Sequence, residues 1–227
     1  MIDLILSSPF FGLFLTCAAW ELGKWVQART RILLLTPIVV ASAAILLLLV
    51  GLHIPYAVYE TGGSLISMLL GPVTAVLALN IYQQRKLLRE YFLPVLAGCL
   101  VGCLVSVGSV LLLCRLLAVD ASIAASLLPK SVTTAIAIAI SDSGGGIQGI
   151  TAAAVILAGI VGAVFAPAFA KLFRIADPVA DGVALGACSH ALGTARALEL
   201  GALQGAMSSV SLCVSGILTS LLVLLLP

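Results

Sequence analysis

The chain has 227 residues, of which 62% are hydrophobic and only 9% charged, with a net charge of +2 and a mean hydropathy of +1.27. A soluble domain carries roughly 25% charged residues, so a water-soluble enzyme and a disordered chain are both excluded. The small net charge and the 6% aromatic content supply neither the basic field nor the stacking platforms that nucleic acid requires. What remains is a polytopic helical protein whose solvent is the lipid bilayer.

Near the N-terminus, Asp3 and the pair Trp20-Glu21 fit neither the basic start nor the small-residue cleavage site of a secretory signal, so residues 4–20 read as a retained span. About 20 apolar residues are needed to cross the hydrocarbon core. Residues 32–52, 93–119, 150–169 and 203–226 meet that length strongly. Residues 4–20 and 65–82 meet it weakly, the second carrying Gly71-Pro72, which argues for a kink, and Asn80. Two further apolar stretches are interrupted. Residues 122–140 break at Pro129-Lys130-Ser131, and residues 178–197 break at Ser189-His190 and Gly193-Thr194. Six cysteines, Cys17, Cys99, Cys103, Cys114, Cys188 and Cys213, lie in apolar runs without CxxC spacing. They read as small packing residues, with Cys99 and Cys103 on one helical face.

The basic residues set the orientation. Lys24, Arg29 and Arg31 follow the first span, and Arg85, Lys86 and Arg89 follow the third. The positive-inside rule puts both groups in the cytoplasm and the N-terminus outside. Lys171 and Arg174 then also belong in the cytoplasm, which requires residues 122–146 to enter from outside and return. Residues 178–201 enter from the cytoplasm and return. The alternative is that each stretch crosses fully, leaving Lys171 and Arg174 outside. A repeat accompanies the first picture: Gln148-Gly149 corresponds to Gln204-Gly205, and Ala158-Gly159 to Ser215-Gly216, 56 and 57 residues apart. The expected fold class is therefore an all-α polytopic membrane protein. It has about six transmembrane helices and two oppositely oriented re-entrant, broken-helix segments, in the manner of inverted-repeat transporters. Residues 1–120 would form a helical scaffold and residues 121–227 the repeat, as 121–170 and 177–227. Gly98 with Gly102, and Gly159 with Gly162, would let helices approach closely.

Backbone that leaves the helix inside lipid has to face protein or a wet cavity. Pro129 suits the first turn of a new half-helix. Ser131, Thr133 and Thr134 add hydroxyls there and Lys130 adds a positive charge, a set suited to a carboxylate. Against this, Lys130 would snorkel to the interface and the hydroxyls would bond back to their own helix. In the second break, Ser189, His190, Gly193 and Thr194 face the same choice. His190 either carries a proton or donates to an anion, or is a structural hydrogen-bonder. Gly193 permits a turn or a close approach. Arg196 and Glu199, three apart, form an interfacial pair or a substrate clamp, and Asn80 is a secondary candidate for the same cavity. Gly144-Gly145-Gly146 reads as a tight return and not as a phosphate loop. No Ser/His/Asp arrangement, paired carboxylates or metal cluster stands out, so neither catalysis nor a cofactor is expected.

The strings LLPKSVTTAIAIAIS, GGGIQGITAA and ACSHALGTARALELGALQGAMSS resemble the LrgB/CidB family over nearly the whole chain. Where that family usually has Pro after the double Thr, this chain has Ala135. Where the family has Pro-Leu-Tyr, this chain has Asn80-Ile81-Tyr82. Bacterial members are antiholin-like regulators of murein hydrolases, and plastid relatives carry glycolate and glycerate. The resemblance implies a multi-pass protein of the bacterial cytoplasmic membrane that works with a small LrgA/CidA-type membrane protein. The expected function is secondary transport of a small monocarboxylate (glycolate, glycerate, lactate or pyruvate) by alternating access, with a proton or sodium as coupling ion and a homodimer as the default assembly. The alternative is an antiholin-like regulator of a holin-type pore with no substrate of its own.

Overall fold

The computed structural model describes residues 8–30, 32, 35–69, 72, 75–76, 79, 82–83 and 85–226. The expectations resting on Arg31, Gly71 and Asn80 fall outside them. Among the described residues the secondary structure is helical throughout, as the composition demands. The chain divides into two compact units, Met1–Pro72 and Val73–Pro227.

The first unit holds α1 (Pro9–Thr30), α2 (Pro37–Gly51) and α3 (Tyr56–Ser67). α1 is longer than the 4–20 span because Glu21, Lys24 and Arg29 continue the helix past its apolar part, Lys24 pairing with Glu21 at 2.7 Å. α2 is shorter than the expected 32–52 span. Thr36 is extended and Pro37 occupies the first helical turn, where a fixed φ and a missing N–H cost nothing. α3 ends at Ser67, followed by a turn at 68–69, and most of the expected 65–82 span beyond it falls outside the described residues. α1 crosses α3 at glycines: a Cβ on Gly12 would stand 3.0 Å from the Gly62 Cα. The Thr16 and Tyr59 hydroxyls, 2.9 Å apart, fix the crossing.

The second unit holds α4 (Arg85–Glu90), α5 (Phe92–Leu116), α6 (Ala121–Leu127), α7 (Thr134–Ser143), α8 (Gln148–Leu172), α9 (Pro178–Leu200) and α10 (Ala202–Leu224). α5, α8 and α10 are the three described helices long and apolar enough to cross a membrane. α5 packs on α10 through a ladder of small side chains. The Cys99 and Cys103 thiols donate to the Ser211 and Ser215 carbonyls, both at 3.6 Å, and the Thr219 hydroxyl donates to the Cys103 sulfur at 3.3 Å. Val95, Cys99, Val183, Met207 and Val210 close the core around this seam.

Both interrupted stretches are helical hairpins. In the first, α6 enters and α7 returns. The Ile147 amide donates to the Ser126 hydroxyl at 2.7 Å, so the incoming helix α6 and the start of α8 lie side by side. Gly145, at φ +72°, makes the turn into α8, a conformation that glycine adopts without strain. In the second, α9 folds back on itself at His190 (φ 42°, ψ −138°). Residues 185 and 193 of a straight helix would be about 12 Å apart. Here a Cβ on Gly193 would stand 2.6 Å from the Leu185 carbonyl oxygen, and Ala197 clusters with Leu185 and Ala166. α10 then runs alongside residues 178–189, with Gly182 against Gln204 and Met207 and Gly186 against Ser208.

Candidate functional site

α8 is the common axis of the two hairpins. The first is attached at its N-terminal end, where the Thr151 hydroxyl donates to the Ser141 hydroxyl at 2.6 Å. It runs to the Val132–Ala137–Val155 cluster. The second starts beyond the C-terminal end of α8 and passes Ala166 and Gly162 to reach Gly159. Their tips therefore come from opposite ends and meet α8 between Val155 and Gly162. Gly159 and Gly162 are the reason they can: a Cβ on Gly159 would stand 2.5 Å from the His190 ring, and one on Gly162 would collide with the Ser189 side chain.

The tip of the first hairpin is the turn 128–132. Pro129 does not open the new half-helix as the sequence suggested. Its carbonyl accepts from the Val132 amide at 3.2 Å, and α7 starts five residues later at Thr134. Thr133 is the extended N-cap, but its hydroxyl caps nothing and is buried without a hydrogen-bond partner. The first-turn amides of α7, including that of Thr134, have no partner within the helix. Lys130 is half-buried, and its ammonium donates to the Ser106 hydroxyl at 2.9 Å and the Ser131 hydroxyl at 3.4 Å. Those two hydroxyls lie 2.7 Å apart. Among the described residues no carboxylate pairs with Lys130, the two ion pairs being Glu21–Lys24 and Arg196–Glu199. Removing an ammonium from water without a counter-charge is costly, and the two hydroxyls are the partners that offset it here.

In the second tip the turn falls on His190 and not on Gly193. Gly193 serves instead as the point of closest approach between the two arms of α9. The buried His190 Nε2 donates to the Val155 carbonyl at 2.8 Å, and because a carbonyl only accepts, the ring proton sits on Nε2. Thr194 is also held: its hydroxyl donates to the His190 carbonyl at 3.0 Å and pairs with the Ser208 hydroxyl at 2.9 Å. Ser189 is buried against Gly162. The first tip thus gathers a half-buried ammonium at Lys130, the Ser131 hydroxyl bonded to Ser106 and the buried, unpartnered Thr133 hydroxyl, whereas His190 and Thr194 lock the opposite tip. Arg196 and Glu199 form an ion pair at 2.6 Å, with the acid largely exposed and the arginine less so.

Two side chains that carried no weight in the sequence reading complete the junction. Ser106 is reached by following the α5 stripe Gly98, Gly102, Ser106 at four-residue spacing, which was the available signal. Cys188 lies within electrostatic reach of Lys130, and a Cβ on Gly102 would touch its sulfur at 4.0 Å. Grooves of about 300 Å³ between α8 and α9 and about 470 Å³ between α5 and α9 are both lined by Cys188. The first also borders Gly162, Asp181 and Ser189, the second Tyr91, Gly102 and Asp177.

The LrgB-like family matches residues 16–227. The antiholin-like protein LrgB of Bacillus subtilis (strain 168) is 36% identical over 218 residues, 95% of this chain and 94% of that protein. The antiholin-like protein LrgB of Bacillus mycoides (strain KBAB4) is 35% identical over 214 residues, 93% of each. No solved structure matches the chain.

Proposed function

Because the chain belongs to the LrgB-like family, we propose that this helical membrane protein is a secondary carrier, or the principal subunit of one, for a small monocarboxylate such as glycolate, glycerate, lactate or pyruvate. The observation that carries this reading is the Lys130 ammonium, half-buried at the meeting of two opposed hairpin tips with hydroxyls but no carboxylate around it. The carboxylate would be received by Lys130, Ser131, Thr133 and the first amides of α7. Ser189, His190, Gly193 and Thr194 form the opposing wall. The hairpins of residues 121–170 and 177–227 act as inverted repeats in a multi-pass protein of the bacterial cytoplasmic membrane, with about six spans. Rocking of these units exposes the tips to each side in turn. A proton or sodium ion supplies the coupling, and a small LrgA/CidA-type membrane protein and a second copy of the chain are the partners in this reading.

Uptake of labelled monocarboxylates into proteoliposomes tests it. Wild-type protein should accumulate label and Lys130→Ala should abolish uptake. Equal uptake by the two overturns the anion site. The name of the relatives, antiholin-like protein LrgB, favours a second reading, an antiholin-like regulator without its own substrate. That reading is supported if the purified protein transports nothing and shows no ligand-dependent thermal shift, yet changes the assembly of a holin-type partner.

A further inference from the structure

We infer that Ser106 of α5 is the positioning residue that aims Lys130 at the anion, an inference that rests on the carrier reading above. Three observations converge on it. Ser106 is the acceptor at 2.9 Å for the Lys130 ammonium, a shorter contact than the 3.4 Å to Ser131 beside it in the chain. The Ser106 and Ser131 hydroxyls are themselves 2.7 Å apart, so one α5 side chain holds both the ammonium and the backbone turn that carries it. Finally, α5 is anchored independently of the hairpin. Its Cys99 and Cys103 thiols bond to carbonyls of α10 and its Gly98 packs under Val183. Ser106 is thus a fixed point against which a flexible four-carbon side chain is held.

An ammonium has three donors. Two are directed at Ser106 and Ser131, which leaves the third free for a carboxylate arriving between the tips. Without Ser106 the lysine gains rotamer freedom that substrate binding then has to remove, and the site loses affinity without losing its charge. The four-residue register Gly98, Gly102, Ser106 supports the placement. On one face of α5 the glycines admit Val183, Ala187 and Cys188 of the second hairpin, and the next position meets the first hairpin.

The experiment compares wild type, Lys130→Ala, Ser106→Ala, Ser106→Thr and Ser106→Asp in proteoliposomes, with uptake of labelled lactate and pyruvate measured against concentration. Loss of one hydrogen bond to a charged group predicts a KM roughly tenfold higher for Ser106→Ala with the maximal rate retained. Ser106→Thr keeps the acceptor and should restore the wild-type KM. Ser106→Asp places a carboxylate beside the ammonium and should abolish uptake as an internal counter-ion. If Ser106→Ala does not fold, the Thr and Asp variants decide the matter: an active Asp variant overturns the inference. An unchanged KM in Ser106→Ala, or a lowered rate at unchanged KM, also overturns it while the Lys130 dependence stands. If wild type and Lys130→Ala take up label equally, the carrier reading fails and this inference with it.

Discussion

His190 combines two features that pull in different directions. Its φ of 42° lies where side chains are strained, at a cost on the order of 1–3 kcal/mol for a non-glycine residue. Its ring is nevertheless buried and bonded to the Val155 carbonyl. Replacing it with Ala removes the ring and keeps the strain, whereas Gly removes both. His190→Gly should therefore be more stable than His190→Ala by about 1 kcal/mol in detergent thermal unfolding, and both less stable than wild type because the Val155 contact is lost. Equal stability of the two variants would show that the turn stores no strain. The residue scale is also where sequence reading reached its limit. Lys130 stands out because a charged side chain amid apolar residues is costly and rare. Ser106 does not, because a lone serine in a span is equally at home bonding to its own helix, as Ser109 does to the Ser106 carbonyl. That His190, and not the nearby Gly193, makes the turn has no local signature, since tertiary packing against Gly159 and Gly162 compels it.

Among the elements, α5, α8 and α10 were legible to within three residues at either end, because an unbroken apolar run leaves a helix nowhere else to stop. The start of α2 was not, because Thr36-Pro37 sets a boundary inside an apolar run. α6 opens on a side-chain cap: Asp120 accepts from the Ser122 amide at 2.9 Å and from the Ser122 hydroxyl at 2.7 Å. These two donors hold the Asp120 carboxyl below its ordinary value. A lowered folded-state value means the cap contributes fully above the ordinary carboxylate range and is lost as pH falls through the lowered one. Amide exchange at Ser122–Ala124 should therefore accelerate, relative to the rest of α5–α8, on acidification. Asp120→Asn, which caps without titrating, should remove that acid dependence, and exchange that stays pH-dependent in the Asn variant would assign it elsewhere.

For the whole molecule, the opposed attachment of the hairpins to α8 makes a prediction about sidedness. α8 is about 37 Å long at 1.5 Å per residue, enough to cross a bilayer core of about 30 Å. The exposed positions Ser143 and Ala176 flank its two ends. Single cysteines introduced there, in a background with the six native cysteines replaced, should react with a membrane-impermeant maleimide from opposite faces of oriented vesicles. Reaction of both from the same face would rule out the inverted arrangement. The polar breaks were legible as breaks, since Pro129-Lys130-Ser131 and Ser189-His190 interrupt otherwise apolar runs. That the two tips rest on the same stretch of one helix was not legible, because no local pattern records which surface a tip will find.

The unequal dependence of the hairpins on α8 carries over to synthesis in the cell. The second tip is translated after Val155, Gly159 and Gly162 and can dock as it emerges. The first is translated before any of them, and its anchors at Ile147 and Thr151 do not yet exist when residues 121–143 leave the ribosome. Its lysine can already meet Ser106 of α5, but Ser126 and Ser141 still lack their partners on α8, so packing of this segment is completed only once α8 has inserted. Biogenesis of the protein is for that reason most vulnerable to interruption between about residue 130 and the completion of α8.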